Sequence, residues 1–184
     1  MGHPRRSWLT ATVAVSIVAL LTGCSSGQDR FSQGSLSVRL VASRPFSPVD
    51  PLPRMDAAKV TVSHVEARKS DGSWVSSECD PPAALNLVAP DAEGVNLPPQ
   101  LLPEGDYCAL QLRFSRVELR LGDGAEVALP SPATGWVVRI PADFTVRTDR
   151  ATAIALKLDP GASFTFGGGH VEFDPDVRFD GLLR

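Results

Sequence analysis

Three histidines and three cysteines are all that the 184 residues contain, and the scarcity narrows the chemistry at once. A Ser-His-Asp triad needs His64 or His170, because His3 lies in a segment expected to be removed. No Gly-x-Ser-x-Gly elbow and no His-Glu-x-x-His pair occurs. Solvent-facing or capping roles are expected for both histidines. No block of five basic residues occurs, so nucleic-acid binding has no electrostatic footprint. No segment of ten or more residues has helical periodicity, and no internal repeat is visible. Gly167-Gly168-Gly169 lacks the Lys-Ser/Thr that completes a phosphate loop and reads as a flexible turn. Long apolar runs are missing too. The longest, Trp8 to Leu21, is about 14 residues, against about 20 for a spanning helix.

What is present at the N-terminus has the layout of a secretory signal peptide. Arg5 and Arg6 form a positive head, Trp8 to Leu21 an apolar segment, and polar Ser25 to Arg30 follow directly. Leu21-Thr22-Gly23-Cys24 closes the apolar segment and resembles a bacterial lipobox. That resemblance implies removal of residues 1–23, lipidation of Cys24, and a membrane-anchored protein outside the cytoplasm. Two or three acyl chains hold firmly, at about 0.8 kcal/mol per buried methylene, where one chain is marginal. Ser25 stands where an inner-membrane retention signal would place Asp, so the outer membrane is expected if the envelope is Gram-negative, facing the periplasm or the cell surface. Gly2 does not fit a myristoylation motif, because Arg6 replaces its Ser/Thr.

Removing 23 residues leaves 161, one domain's worth. Residues 24–33 read as a lipidated tether and 34–184 as a single domain. Arg5 and Arg6 leave with the signal, so 16 basic and 21 acidic side chains remain, a net charge of −5. With Cys24 acylated, Cys79 and Cys108 form an even pair in an oxidising compartment, and a disulfide is expected. It would close a loop of about 30 residues and contribute about 3–4 kcal/mol. The alternative is two separate thiols.

Period-two alternation dominates the remainder. Leu36, Val38 and Leu40 share one phase. Four prolines between Pro45 and Pro53 make Ser43–Met55 a crossing or edge loop. The next strand spans about Lys59 to Arg68. Its phase flips between Val60/Val62 and Val65/Ala67, predicting a β-bulge at Ser63-His64. Asp71-Gly72 predicts a turn, and Trp74-Val75 a return strand. Cys79 to Gln100 is irregular, with a short strand expected at Leu85 to Val88. The strongest strand carries Cys108, Leu110, Leu112 and Phe114, then flips to Val117, Leu119 and Leu121, predicting a second bulge at Ser115-Arg116. Gly122-Asp123-Gly124 is a hairpin turn, with Val127 and Leu129 returning. Further strands are expected at Trp136–Ile140, at Thr152–Leu158, and at Val171–Phe179, the last broken at Asp174-Pro175. The sum is an all-β chain: a β-sandwich of about seven to nine strands, immunoglobulin-like or transthyretin-like.

Gly34-Ser35-Leu36-Ser37-Val38-Arg39-Leu40, Val60 to Ala67 followed by Asp71-Gly72-Ser73-Trp74, and Leu102-Pro103-Glu104-Gly105-Asp106-Tyr107 occur in an order that resembles a domain family of unknown function found in prokaryotic lipoproteins. The resemblance covers about residues 34–180. It implies a β-sandwich and export as a lipoprotein, and brings no catalytic residues. Asp174-Pro175-Asp176 departs from the pattern, which carries basic or apolar residues there. Tyr107, after a Pro-x-Gly turn, is expected to bond back to the turn backbone as tyrosine corners do.

Asp159, Glu172, Asp174, Asp176 and Asp180 gather toward the C-terminus as hard oxygen donors, and the first four are candidate calcium ligands. Their spacing matches no EF-hand loop, and no other metal or cofactor is indicated. With no catalytic residue assigned, the expectation is a non-enzymatic module binding a protein or glycan partner through the Ser43–Met55 and Cys79–Gln100 segments, loops on a rigid scaffold. The alternatives are a structural envelope component without a soluble ligand, and a hydrolase using His64 or His170.

Overall fold

The computed structural model describes residues 32–46, 54–91, 93–167 and 170–183. Leu21, Thr22, Gly23 and Cys24 lie outside the described residues, as does most of the proline-rich loop after Phe46.

Two five-stranded sheets carry the domain. The first is built on β1 (Gln33–Ala42). On one side β1 runs parallel to β9 (Thr152–Leu158), which pairs antiparallel with β12 (Val177–Leu182). On its other side β1 pairs with β4 (Val95–Asn96) and β5 (Gln100–Pro103). The second sheet is built on β6 (Gly105–Leu121). One neighbour is β2 (Met55–Lys69), flanked by β3 (Trp74–Asn86). The other side of β6 is shared by β7 (Glu126–Ala128) and β8 (Trp136–Val146). A hairpin, β10 (Phe164–Gly167) with β11 (His170–Phe173), and a one-turn helix α1 (Pro160–Ser163) complete the described residues. The architecture is all-β and sandwich-like, as the alternation requires. Strands exceed the expected seven to nine because β4, β5 and β10 are too short to alternate legibly and the expected last strand is two, β11 and β12.

The inner faces explain the pattern. Leu36, Val38, Leu40, Ile154, Leu156 and Leu158 from the first sheet meet Val60, Val65, Leu110, Leu112, Val117 and Leu119 from the second, all essentially inaccessible. Both phase flips are bulges, and they flank one residue pair. Between Thr61↔Arg116 and Val62↔Phe114, Ser115 is the extra residue on β6. Between Val62↔Phe114 and His64↔Arg113, Ser63 is the extra residue on β2. Each strand shifts by one at nearly the same level, so both keep their apolar sets turned inward across two different phases.

The irregular stretch after Cys79 is more ordered than its prolines suggest. β3 continues through it, with a cis Asp80–Pro81 bond. The register passes from His64↔Glu78 to Val62↔Ala83, so Cys79 to Pro82 bulge opposite Ser63 and need no regular ladder. β3 is also an edge strand, where missing donors are tolerated.

The strand directions define two ends. The opening of β1, the close of β5, the opening of β6, the β8–β9 turn and the close of β12 meet at one, here called the near end. At the far end lie the Phe46 segment, the β6–β7 turn, residues 129–135, α1 and the β10–β11 hairpin.

Candidate functional site

The near end holds an open groove of about 690 Å³, lined by Asp106, Tyr107, Phe144, Arg147, Arg150 and Leu182 among others. Tyr107 shapes its floor. Its hydroxyl donates to the Pro103 carbonyl at 2.7 Å, the tyrosine corner the Pro-x-Gly-x-Tyr order implied, and its ring stacks on Phe144 at 5.1 Å. Burial, and then the negative charge of Asp71, push the phenol pKa up, so it stays a donor. Thr145 donates to Asp106 Oδ1 at 2.7 Å, and Thr152 donates to the Thr145 carbonyl at 2.8 Å. These polar groups are engaged with one another. They fix a shape more than they offer a reactive centre.

At the β2 bulge, Ser63 Oγ lies 3.0 Å from His64 Nδ1, and His64 Nε2 lies 3.6 Å from Glu78 Oε1. Adjacent strand residues ordinarily face opposite ways, and the bulge lets these two meet. The order hydroxyl, imidazole, carboxylate resembles a triad, but Ser63 Oγ also lies 3.3 Å from the Arg113 carbonyl, a second acceptor that competes with the imidazole for its single proton. Glu78 is largely exposed. His170 sits on the β10–β11 hairpin, exposed, 3.4 Å from Glu172.

The C-terminal carboxylates do not converge. Asp159 caps α1, accepting from Gly161 N and Ala162 N, and pairs with Arg44 at 3.4 Å. Desolvation opposes its ionisation, but the Ala162 and Gly161 N–H groups and the Arg44 guanidinium outweigh that and hold its pKa below the usual value. Asp176 is held by Arg178 at 2.9 Å, and Glu172 faces His170. Asp174 stands exposed between β11 and β12, and Asp180 pairs with Lys157 at 2.7 Å. Among the described residues no group of three His, Cys, Asp or Glu side chains is placed to hold an ion, so the calcium set Asp159, Glu172, Asp174 and Asp176 is not assembled. The spacing suggested one strand face. Instead β11 pairs with β10 and β12 with β9, and the turn between them separates Glu172 from Asp176.

The expected Cys79–Cys108 disulfide is also corrected: both thiols are free. β2 lies between their strands, so they are about 9.6 Å apart across the sheet. Cys79 is level with Ser63, while Cys108 is level with Arg68 and Lys69, adding about 17 Å along the strand direction. A disulfide needs Cα atoms within about 7 Å. Cys79 is buried in the core, which pushes its thiol pKa up, and Cys108 Sγ sits 3.7 Å from the Lys69 carbonyl. Counting cysteines gave parity but not the strand between them.

The sequence did not single out the polar platform on the outer face of the second sheet. The register aligns Ser76, Glu66, Gln111 and Arg139 in one row across β3, β2, β6 and β8. Glu66 accepts from Ser76, Gln111 and Arg113, and Gln111 accepts from Arg139 Nε at 2.8 Å. Arg139 in turn lies 5.7 Å from the centre of the Trp74 indole. The off-phase polar residues on these strands, Glu66, Gln111 and Arg139, were its signal.

Fold and surface define a β-sandwich-like protein with shallow sites whose polar groups mostly bond one another. No family model matches the chain, no curated protein matches it, and no solved structure matches it.

Proposed function

We propose that the chain is a lipid-anchored envelope protein whose β-sandwich is a non-enzymatic binding module, meeting a protein or glycan partner through its far-end loops. One observation supports this reading above the rest. Arg44, Pro45 and Phe46, which open the proline-rich segment, and residues 87–91, which follow β3, are brought to the end opposite the start of β1. They are tied there by Phe46 N donating to the Leu87 carbonyl at 2.8 Å. At the same end lies an open recess of about 360 Å³ lined by Leu129, Pro130, Pro132, Trp136, Val171 and Phe173. Loop prolines beside a half-buried tryptophan, Trp136 at the start of β8, form rigid surface suited to recognition, because it loses little conformational freedom on binding. The resemblance to lipoprotein domains and the lipobox at Leu21–Cys24 support the anchored location.

A photo-crosslinking amino acid at Ser131, at the far end, compared with one at Asp149, at the near end, tests the binding role in intact envelopes. A discrete adduct from position 131 and none from 149 is expected. No adduct from either site, with no binding to purified envelope glycan, would favour a purely structural component. Fractionation of wild type against Cys24→Ser tests the anchor separately. Equal membrane retention of both would overturn it.

A further inference from the structure

We infer that the near end of the sandwich docks on the bilayer surface through exposed leucines, so that the domain stands upright with its far-end loops held away from the lipid. The inference rests on the anchored reading above and adds an orientation and a contact to it.

Tether length comes first. Cys24 precedes the start of β1 by nine residues, a reach of at most about 31 Å when fully extended. The longest strand, β6, has 17 residues and spans up to about 53 Å. An anchor at Cys24 therefore keeps the near end close to the lipid, while its reach is shorter than the long axis of the domain.

The second observation is independent of the anchor. Six large hydrophobic side chains are exposed among the described residues: Trp74, Leu101, Val127, Val137, Leu182 and Leu183. Four of them fall at the near end. Leu101 pairs with Ser35 in the opening of β1, and Leu182 pairs with Ile154 in the opening half of β9. Leu183 N bonds the Ala153 carbonyl, and Trp74 opens β3 beside the Ser70–Ser73 turn. The two most exposed of the six, Leu101 at 65 % and Leu182 at 58 %, are both in this group. Scattered surface leucines need no explanation, but a concentration at the end an anchor holds against lipid does.

Charge sets the mode of contact. Arg68, Lys69, Arg147 and Arg150 stand at this end, but so do Asp71, Glu104, Asp106, Asp143 and Asp149. Asp149 lies 3.7 Å from Arg150. No net positive field results, so the contact is apolar insertion into the interface, not attraction to anionic lipid.

The test uses the mature lipidated protein in vesicles of phosphatidylcholine brominated on its acyl chains, in a Trp74→Phe, Trp136→Phe background that leaves each probe as the single tryptophan. Leu182→Trp is compared with Val127→Trp, both substitutions falling at exposed positions. Bromolipid is expected to quench the probe at 182 at least about twofold more than the probe at 127, with no change at high salt. Equal quenching, or stronger quenching at 127, in protein that floats with the vesicles would overturn the docking while leaving the anchor intact. Loss of the difference at high salt would overturn the apolar mode. Flotation of wild type no better than Cys24→Ser would instead mark failure of the anchored reading.

Discussion

The two ends of the sandwich are closed by different forces. At the near end the closure is made of directed hydrogen bonds. Tyr107 bonds the Pro103 carbonyl, Thr152 the Thr145 carbonyl, and Ser70 Oγ the Asp106 carbonyl at 3.2 Å. The first residue described, Ser32, accepts from Glu104 N at 2.6 Å. At the far end the closure is aromatic. Phe173 meets Phe164 at 4.9 Å, Trp136 at 5.6 Å and Phe114 at 5.7 Å, and Phe46 lies 5.0 Å from Phe164. Directed bonds fix geometry and tolerate little substitution. Ring packing tolerates changes in the loops above it as long as volume is kept. A module that must hold one end steady and vary the other would be built in this way.

The largest expected effect is at the far end. Phe173→Ala removes the ring that three other aromatics share, and chemical denaturation should show a loss of about 3–5 kcal/mol. A loss below about 1 kcal/mol would mean that packing does not hold that end and would erase the contrast.

Next comes Gly34→Ala at the near end. A methyl group there would meet the Arg147 carbonyl and Val146 Cγ1, both too close to accommodate it. Backbone on one side and a fully buried valine on the other cannot yield cheaply, so about 1–3 kcal/mol should be lost. A neutral result would show that β1 and the β8–β9 turn are looser than their spacing implies. Tyr107→Phe isolates the directed bond from the ring. It keeps the stack on Phe144 and removes the donor, with an expected loss of about 1 kcal/mol in the same measurement.

Asp159→Ala probes the polar link between β9 and β12, since Asp159 caps α1 while Ser163 Oγ accepts from Asp176 N at 2.9 Å. Loss of the cap should cost about 1 kcal/mol near neutral pH. The carboxyl pKa is depressed in the fold, so its contribution is full above the unfolded value of about 3.9 and disappears as pH falls through the folded one. The gap between wild type and variant should therefore close below about pH 4. A gap that persists at lower pH would mean the side chain acts by packing alone.

Much of this contrast was legible before the fold was known. The inward residues of β1, β2, β6 and β9 follow from period two, and both bulges follow from the points at which the period slips, because only an extra residue keeps two phases on one buried face. The opening glycine of the Gly34–Leu40 segment reads as a motif letter in sequence and as a close approach to the β8–β9 turn in space. What stayed hidden depends on strand order. The far-end aromatic cluster draws Phe46, Phe114, Trp136, Phe164 and Phe173 from five separate segments. The calcium set fails because consecutive β11 and β12 pair with different partners. Neither fact leaves a trace in local spacing.

Strand order also decides the cysteines, and here the smallest expected effect is the most discriminating. If Cys79 and Cys108 were bridged, Cys108→Ser would remove a loop closure worth about 3–4 kcal/mol under oxidising conditions. With β2 between them, the substitution exchanges one half-buried donor for another, and a serine hydroxyl can still reach the Lys69 carbonyl that Cys108 Sγ faces. The expected change is below about 0.5 kcal/mol, measured without reductant, as for surface substitutions away from special features. Alkylation of the unreduced, unfolded chain should then label both residues, and Cys79, buried in the core with a raised pKa, should react in the native state far more slowly than Cys108. A multi-kilocalorie loss for Cys108→Ser, with both positions resistant to alkylation, would mean that the order β3-β2-β6 is wrong.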